Sequence, residues 1–319
     1  TPQHKLAPMK AVLPAIARPL LEPHLPAALT PHWFTSVEDA LAAIGDADIA
    51  WADVQSSADS AAIAAAGTML KWLFTLRAGV DAYDTALLKS RGTIVTNGTG
   101  INANAVAEYA VMGMLAAAKR YDEVVRIADR HEWTVASPGT IELAGGRALI
   151  IGMGTIGGLI ASRLRAFEME VTGVTRSGRD GTLTPDQWRA RLGEFDWIIL
   201  AAPSTGETSA MIGAAELAAM KPTAWIVNMA RGDMIDQDAL IAALTARRIG
   251  GAFLDTVTPE PLPADHPLWT TPNVLHSMHL SGRAQRTMFQ RAGALFLENL
   301  GAFLAGRPMR NVVDLDAGY

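Results

Sequence analysis

Short apolar runs alternate with helix-like segments twice along this chain of 319 residues. The first alternation extends from Met9 to about Asn97, and the second extends from about Arg147 to Leu275. Strands that are separated by helices return to a sheet as parallel neighbours, so this order predicts parallel α/β sheets. The sequence therefore predicts two doubly wound α/β units, and the chain is long enough for each unit to have its own core.

The periodicity of each run gives the approximate positions of the elements. Predicted strands of the first unit are 10–13, 48–51, 70–76 and 93–96, with helices at 37–44 and 57–66. Predicted strands of the second unit are 147–151, 170–174, 197–201, 224–227, 250–254 and 274–275. Helices are expected to open at Thr184-Pro185 and at Asp236. A long helix from Asn104 to about Arg130 would connect the units, and a last helix at about 285–306 can return to the first unit.

The composition limits the class of partner. Half of the residues are hydrophobic, 18% are charged and the net charge is −5, which predicts a globular protein without a cationic surface for nucleic acids or anionic membranes. The absence of cysteine excludes disulfides and cysteine-based metal sites, and we predict no metal site. The longest apolar run, 148–162, is shorter than the roughly 20 residues of a membrane-spanning helix. Because Pro14 and Arg18 interrupt the apolar stretch near the N-terminus, we predict no signal peptide and a cytoplasmic location.

Three glycines stand at the first strand–helix junction of the second unit. The apolar strand ends at Ile151, and a helix-like segment follows at 159–164. Glycines at this junction permit a tight turn, close approach of the backbone to a pyrophosphate and close packing of the helix on the strand. The pattern predicts a dinucleotide site, although a purely structural glycine turn is the alternative. The predicted pyrophosphate contacts are Gly152, Gly154, Thr155, Ile156 and Gly157.

The segment after the next strand predicts which dinucleotide is bound. An acidic residue at this position would bind the ribose 2′-hydroxyl of NAD, but residues 173–179 contain no carboxylate. Thr175, Arg176 and Ser177 offer instead a guanidinium and hydroxyl groups, which suit a 2′-phosphate. We therefore expect NADP to be preferred. NAD remains possible if Arg176 is only a solvated loop cation.

Polar residues follow three further strands of the second unit, in segments 228–232, 255–263 and 276–282. The carboxyl ends of parallel strands are where open α/β sheets bind their ligands. Arg231 can bind a substrate carboxylate and carbonyl, and a protonated His279 can donate to the carbonyl oxygen. Glu260 can orient the imidazole of His279 and favour its charged form. Taken singly, each residue also has an ordinary structural explanation, as a helix-capping arginine, an acidic turn or a loop histidine.

These motifs resemble those of the D-isomer-specific 2-hydroxyacid dehydrogenase family. The segments that carry the resemblance are 76–81, 106–109, the glycine motif, 203–208, and the segments of Arg231, Glu260 and His279. The resemblance implies that Arg231, Glu260 and His279 are catalytic, and it implies a homodimer formed around the nucleotide domains. It also implies a Rossmann-type nucleotide domain, at 100–284, inserted into a flavodoxin-like substrate domain, at 1–99 and 285–319. The further contacts implied are Ala78 and Gly79 to the substrate carboxylate, Asp255 to the nicotinamide amide, and Ala202, Pro203, Met229 and Ala230 to the cofactor.

The sequence departs from the family's usual pattern at Met278, where relatives commonly have proline, so the shape of this loop is open. His276 lies nearby, but only His279 matches the register of the motif. The presence of Arg176 in place of an acidic residue resembles the pattern of the NADPH-dependent glyoxylate and hydroxypyruvate reductase branch. This resemblance implies reduction of a small 2-oxo acid to the D-2-hydroxy acid. Glu260 replaces the glutamine of formate dehydrogenases and argues against that reaction.

Three other functions are weighed against this interpretation. A short-chain dehydrogenase is excluded, because none of the four tyrosines is followed four residues later by lysine. A dinucleotide-sensing corepressor of the same fold and an NAD-dependent enzyme similar to phosphoglycerate dehydrogenase remain as alternatives. Trp51 lies at the end of a predicted strand of the first unit and can line a substrate pocket, although a place in the core is the expected one.

Overall fold

The computed structural model describes residues 8–317, which divide into two compact units. Residues 8–102 and 285–317 form the first, here named the terminal unit, and residues 103–284 form the second, the central unit. Residues 1–7 and 318–319 belong to the predicted first domain but lie outside the described residues.

Strands and helices alternate through both units. The strands in chain order are β1 (Met9–Pro14), β2 (Leu29–Phe34), β3 (Ile49–Trp51), β4 (Trp72–Phe74), β5 (Ile94–Thr96), β6 (Arg147–Ile151), β7 (Glu170–Val174), β8 (Trp197–Leu200), β9 (Trp225–Asn228), β10 (Gly251–Leu254) and β11 (Val274–His276). The α-helices are α1 (Arg18–Leu21), α2 (Val37–Ala43), α3 (Ser57–Ala66), α4 (Thr85–Ser90), α5 (Ala103–Lys119), α6 (Tyr121–Asp129), α7 (Thr155–Ala166), α8 (Ala214–Ala219), α9 (Gln237–Thr245) and α10 (Met288–Leu304). Over residues 8–317, no helix combines the length and apolar content needed to cross a membrane.

The terminal unit contains a parallel five-stranded sheet in the order β2-β1-β3-β4-β5, which is the flavodoxin-like order. Three of its elements, α1, β2 and α4, are missing from the sequence predictions. Pro31 and His32 interrupt the pattern of β2, and this strand tolerates a proline because it lies at the sheet edge and pairs only with β1. Edge strands of this kind are easily missed in a sequence. One side of their backbone needs no hydrogen-bond partner, so they can contain residues such as proline that interrupt the usual strand pattern.

Aromatic side chains join α10 to the sheet of the terminal unit. The ring of Phe296 lies 4.9 Å from that of Trp72 and 5.8 Å from that of Trp51, and all three residues are fully buried. Stacked rings at these distances contribute packing energy beyond the area that they bury. Trp51 is therefore a core residue, and the last helix belongs to the core of the terminal unit.

The central unit contains a parallel six-stranded sheet in the order β11-β10-β9-β8-β6-β7. Strands β6 and β7 coincide with their predicted bounds, and the other four agree to within one residue at each end. The side chains of the four inner strands, β6, β8, β9 and β10, are almost all buried, as expected for strands covered on both faces, whereas those of the edge strands β7 and β11 are mostly half-buried. The predicted fold class of two parallel α/β units is confirmed.

The sequence predicts one continuous helix from Asn104 to about Arg130, and this prediction is wrong in one respect. The structure has two helices, α5 and α6, with a break at Arg120. This residue has a left-handed backbone with φ of 48°. Its guanidinium donates to Asp122 at 3.1 Å and to Asn273 at 3.0 Å. These bonds stabilise a sharp change of direction that helical periodicity does not reveal.

The prediction that an α-helix opens at Thr184-Pro185 is also wrong. A turn fixed by a 2.9 Å bond from Thr184 N–H to the Gln187 side chain leads into a 3-10 helix, Arg189–Glu194. The fully buried Trp188 anchors this segment, so tertiary packing overrides the capping pattern. The prediction at Asp236 is confirmed, because its carboxylate caps α9 by accepting from Ala239 N–H at 3.0 Å.

Candidate active site

The glycine motif forms the turn between β6 and α7. Gly152 has a φ of 101°, and a Cβ on it would lie 2.5 Å from the backbone nitrogen of Ala202. A Cβ on Gly157 would lie 1.9 Å from the carbonyl oxygen of Gly152, so helix and strand approach too closely for any side chain there. Gly154 faces open space, with no atom within 4 Å of its Cβ position. The backbone is thus accessible at the N-terminus of α7, which fits the pyrophosphate of a dinucleotide.

The topology puts this turn at the point where the order of the sheet reverses. Strand β6 lies between β7 and β8, and the chain crosses to β8 only after completing β7. A crevice forms at the carboxyl edge of a sheet at such a switch point. Ala202 and Pro203 follow β8 at this edge, and the buried Met229 and Ala230 follow β9.

The segment after β7 carries the predicted ribose contacts. The hydroxyl of Thr175 lies 2.7 Å from that of Thr182, and Ser177 is exposed. The guanidinium of Arg176 lies 3.5 Å from the carboxylate of Glu207, with side-chain exposures of 68% and 79%. Such an exposed ion pair contributes little free energy, so an anionic ligand can displace Glu207. Sequence reasoning missed this partner because it follows another strand.

His279 and Glu260 form the central pair of the site. The Nδ1 atom of His279 lies 2.7 Å from a carboxylate oxygen of Glu260, whose other oxygen accepts from Val257 N–H at 3.1 Å. Both carboxylate oxygens are therefore engaged, and Nε2 is the ring nitrogen that can meet a substrate. Partial burial raises the pKa of Glu260, but the bond and charge of His279, the Val257 N–H and the charge of Arg231 together hold it below its ordinary value.

The loop that carries His279 has an unusual backbone. Met278 and His279 have φ values of 52° and 54°, both in the left-handed region. Non-glycine residues adopt this region at a cost, which surrounding contacts must offset. Because proline is restricted to a φ near −65°, the residue commonly found in relatives cannot adopt the backbone seen at Met278.

Asp255 stabilises this loop through hydrogen bonds to three of its residues. Its carboxylate is buried and accepts from the Ser277 hydroxyl at 2.6 Å and from both the backbone N–H and the hydroxyl of Ser281. Its carbonyl oxygen accepts from His279 N–H at 2.6 Å. The two serines flank His279 at equal spacing in the sequence, but only the structure brings them to one carboxylate. The predicted contact of Asp255 with the nicotinamide amide stays a prediction.

Arg231 lies on a turn directly after β9. The buried side chain of Asn228 closes this turn by donating to Arg231 O at 2.8 Å and accepting from Ala230 N–H at 3.0 Å. A Cβ on Gly232 would lie 2.1 Å from the carbonyl carbon of Val257. Only glycine permits this approach, and it brings the Arg231 turn against the loop that holds Glu260. Sequence reasoning did not assign a role to Asn228 or Gly232.

His276 has different surroundings from His279. Its Nε2 lies 3.2 Å from Leu268 O, and its ring lies 4.9 Å from that of Trp269. Burial lowers the pKa of His276, and the bond to Leu268 only partly opposes this effect. His276 is therefore held as a neutral packing residue, whereas His279 faces a carboxylate.

Comparison with known proteins identifies the family. The model of the D-isomer specific 2-hydroxyacid dehydrogenase NAD binding domain matches residues 111–281. A glyoxylate/hydroxypyruvate reductase B of Pectobacterium atrosepticum is 34% identical over 252 residues, which are 75% of this chain and 78% of that protein. A D-3-phosphoglycerate dehydrogenase of Archaeoglobus fulgidus is 32% identical over 82% of this chain, but the chain spans only 50% of its length.

A solved structure resembles the whole fold. The D-isomer specific 2-hydroxyacid dehydrogenase family protein of Aeromonas salmonicida has a TM-score of 0.86 and 29% identity, over 97% of this chain and 100% of that one. The fold thus agrees over nearly the whole length, and the sequence agrees over about three quarters of it or more. The chain belongs to the D-isomer-specific 2-hydroxyacid dehydrogenase family.

Proposed function

We propose that this protein is an oxidoreductase that uses NAD(P)H to reduce a small 2-oxo acid to the D-2-hydroxy acid. The observation that carries the proposal is the 2.7 Å pair of His279 and Glu260, which lies in a dinucleotide-type unit beside the Arg231 turn. The pair supplies an oriented proton donor, and Arg231 supplies a cationic fork for a carboxylate. Glyoxylate and hydroxypyruvate are the substrates favoured.

His279, Glu260 and Arg231 have different roles in the proposed reduction. A dinucleotide held at the turn of Gly152 and Gly154 would supply a hydride for the carbonyl carbon. His279 Nε2–H donates its proton to the carbonyl oxygen, while Glu260 holds Nδ1–H and balances the charge of the imidazolium. Arg231 binds the carboxylate of the substrate and polarises its carbonyl.

We assign the two units different roles. The dinucleotide domain is taken as 100–284, and the substrate domain as 1–99 and 285–319. In the terminal unit, Ala78 and Gly79 lie in the loop after β4, at the carboxyl edge where α/β sheets bind ligands. Their backbone N–H groups are proposed to bind the substrate carboxylate.

We propose that NADPH is preferred over NADH. The exposed guanidinium of Arg176 would exchange Glu207 for the 2′-phosphate, a stronger anion. Loss of a charge-assisted bond corresponds to a roughly 10-fold to 100-fold weaker interaction, so Arg176→Ala should raise KM for NADPH by that factor. KM for NADH should change little, and Glu207→Gln should lower KM for NADPH. Equal effects of Arg176→Ala on both cofactors in steady-state kinetics would remove the proposed contact.

We further propose that two copies form a dimer through the central unit. In the segment after α6, Trp133 and Val135 are 94% and 99% exposed. The same unit has an apolar groove of about 540 Å³ between α5 and α7. Its larger apolar lining residues are Val111, Met112, Leu115, Tyr121 and Phe167. A two-fold pair would cover both apolar surfaces on each copy, a self-complementary arrangement typical of homodimers.

Light scattering should therefore give twice the mass of one chain. Trp133→Glu is expected to shift the protein toward the monomer, because a charge replaces the exposed ring. Met69→Glu is the matched control, since Met69 is 62% exposed but lies in the terminal unit. A wild-type monomer, or equal dissociation by both variants, would contradict this interface.

The function is tested by measuring turnover of a panel of 2-oxo acids with both cofactors. We expect glyoxylate or hydroxypyruvate with NADPH to give the highest kcat/KM, and the product to be the D isomer. Turnover of 3-phosphohydroxypyruvate with NADH would favour the activity named for the Archaeoglobus relative. Binding of NADPH without turnover of any 2-oxo acid would overturn the proposal and favour the corepressor-like alternative.

A further inference from the structure

A buried carboxylate in the terminal unit has no part in the mechanism above. Asp53 follows β3, and its side chain is only 6% exposed. It accepts hydrogen bonds from Trp51 Nε1 at 2.8 Å, the Thr75 hydroxyl at 2.8 Å and Leu76 N–H at 2.6 Å. A charged group is rarely buried unless several donors compensate for its lost hydration, so this cluster calls for an explanation.

The donors to Asp53 identify the segment that it holds. Thr75 and Leu76 come directly after β4 and begin the loop that contains Ala78 and Gly79. The Nε atom of Arg77, in the same loop, lies 3.4 Å from Asp53. One carboxylate therefore joins the end of β3 to the start of this loop.

The end of β5 holds the other side of the same loop. Gly98 N–H donates to Arg77 O at 2.8 Å, and Asn97 Nδ2 donates to Ala78 O at 2.7 Å. A Cβ on Gly98 would lie 1.9 Å from Leu76 O, so only glycine fits here. The carbonyl groups of the loop are thereby turned toward β5.

Two N–H groups of the loop, those of Ala78 and Gly79, take no part in these contacts. Among residues 8–317, no acceptor is found for the N–H of Ala78 or of Gly79. Ala78 is exposed and Gly79 is half-buried, so both are open to an anion. Backbone N–H groups that are fixed in this way bind anions without reorganisation.

We propose that Asp53 is a positioning residue for recognition of the substrate carboxylate. It holds Leu76 N–H and the Thr75 hydroxyl, and so fixes the loop from which Ala78 and Gly79 offer their N–H groups. The inference rests on the proposed function, because it concerns the carboxylate of the 2-oxo acid. In this proposal Asp53 does not itself bind the substrate or the cofactor, but it contributes to selectivity for substrates that have a carboxylate.

The test compares glyoxylate with its ethyl ester, which lacks the carboxylate charge. Asp53→Asn retains the shape of the side chain but replaces one acceptor oxygen by a donor, so contacts to Trp51, Thr75 or Leu76 are lost. We expect KM for glyoxylate to rise about tenfold, the size of one lost hydrogen bond to a charged group, with little change in kcat. KM for the ester and Kd for NADPH should stay unchanged. Asp46→Asn is the control, because Asp46 is exposed and precedes β3 at the opposite edge of the sheet.

A milder pair of variants keeps the test decisive if Asp53→Asn does not fold. Thr75→Val removes one donor to Asp53 and also the acceptor of Arg77 N–H at 3.2 Å, and it should raise KM for glyoxylate selectively. Thr75→Ser keeps the hydroxyl and should restore the wild-type value. Equal changes for glyoxylate and its ester, or no change in either, would overturn this inference alone. If the wild-type enzyme turns over no 2-oxo acid with either cofactor, the proposed function fails and the inference fails with it.

Discussion

Replacement of His279 by alanine is expected to lower kcat for 2-oxo acid reduction by about 10²-fold to 10⁴-fold, the usual contribution of a positioned general acid. Nδ1 of His279 is fixed by Glu260 at 2.7 Å, so Nε2 is the atom that meets the carbonyl oxygen. Kd for NADPH should change little, because the glycine motif and Arg176 lie elsewhere on the sheet. Steady-state kinetics and fluorescence titration of NADPH measure the two effects separately.

Two further variants identify the role of His279. Glu260→Gln should lower kcat less than His279→Ala, because the amide can still contact Nδ1 but no longer carries the charge that balances an imidazolium. The pKa of Glu260 lies below its ordinary value, so this carboxylate stays ionised across the neutral range and keeps its charge beside His279. His276→Gln should retain most of kcat, since His276 bonds only to Leu268 O. Near-normal turnover by His279→Ala would remove His279 from the mechanism.

Replacement of Gly232 by alanine is expected to lower kcat/KM for a 2-oxo acid by about 100-fold, because an ångström-scale misplacement of a binding group has effects of that order. The added Cβ would lie 2.1 Å from the carbonyl carbon of Val257, and backbone atoms cannot yield as a flexible side chain does. The turn of Arg231 and the loop of Glu260 must therefore move apart. The variant is also expected to unfold at a lower temperature, since overpacking typically costs about 1–3 kcal/mol.

Gly301→Ala is the matched control for this variant. Gly301 lies within α10, and a Cβ there meets no atom within 4 Å. Alanine is the better helix former by about 1 kcal/mol, so this control should be as stable as the wild type or more stable, with unchanged kcat/KM. If Gly232→Ala binds NADPH normally, melts like the wild type and retains its kcat/KM, the close approach of the two loops has no functional importance.

The sequence was sufficient for features that depend on neighbouring residues. Alternating apolar runs predicted β6 and β7 to the residue, and the three glycines predicted the turn into α7. His279 and Glu260 were predicted as partners because their residue types follow strands of one sheet, and the 2.7 Å contact joins them. Parallel strands carry their carboxyl ends to one edge, so this much follows from local pattern and topology.

Other features depend on contacts between residues far apart in the chain, and only the tertiary structure decided them. The left-handed backbone of Met278 and His279 depends on Asp255, more than 20 residues earlier. The break at Arg120 depends in part on Asn273, and the partner of Arg176 follows another strand. The hydrogen bond from Leu76 N–H to Asp53 links the ends of β3 and β4, which are neighbours only in the folded sheet. Periodicity records what each residue does within its own element, whereas these contacts exist only after the elements have packed together.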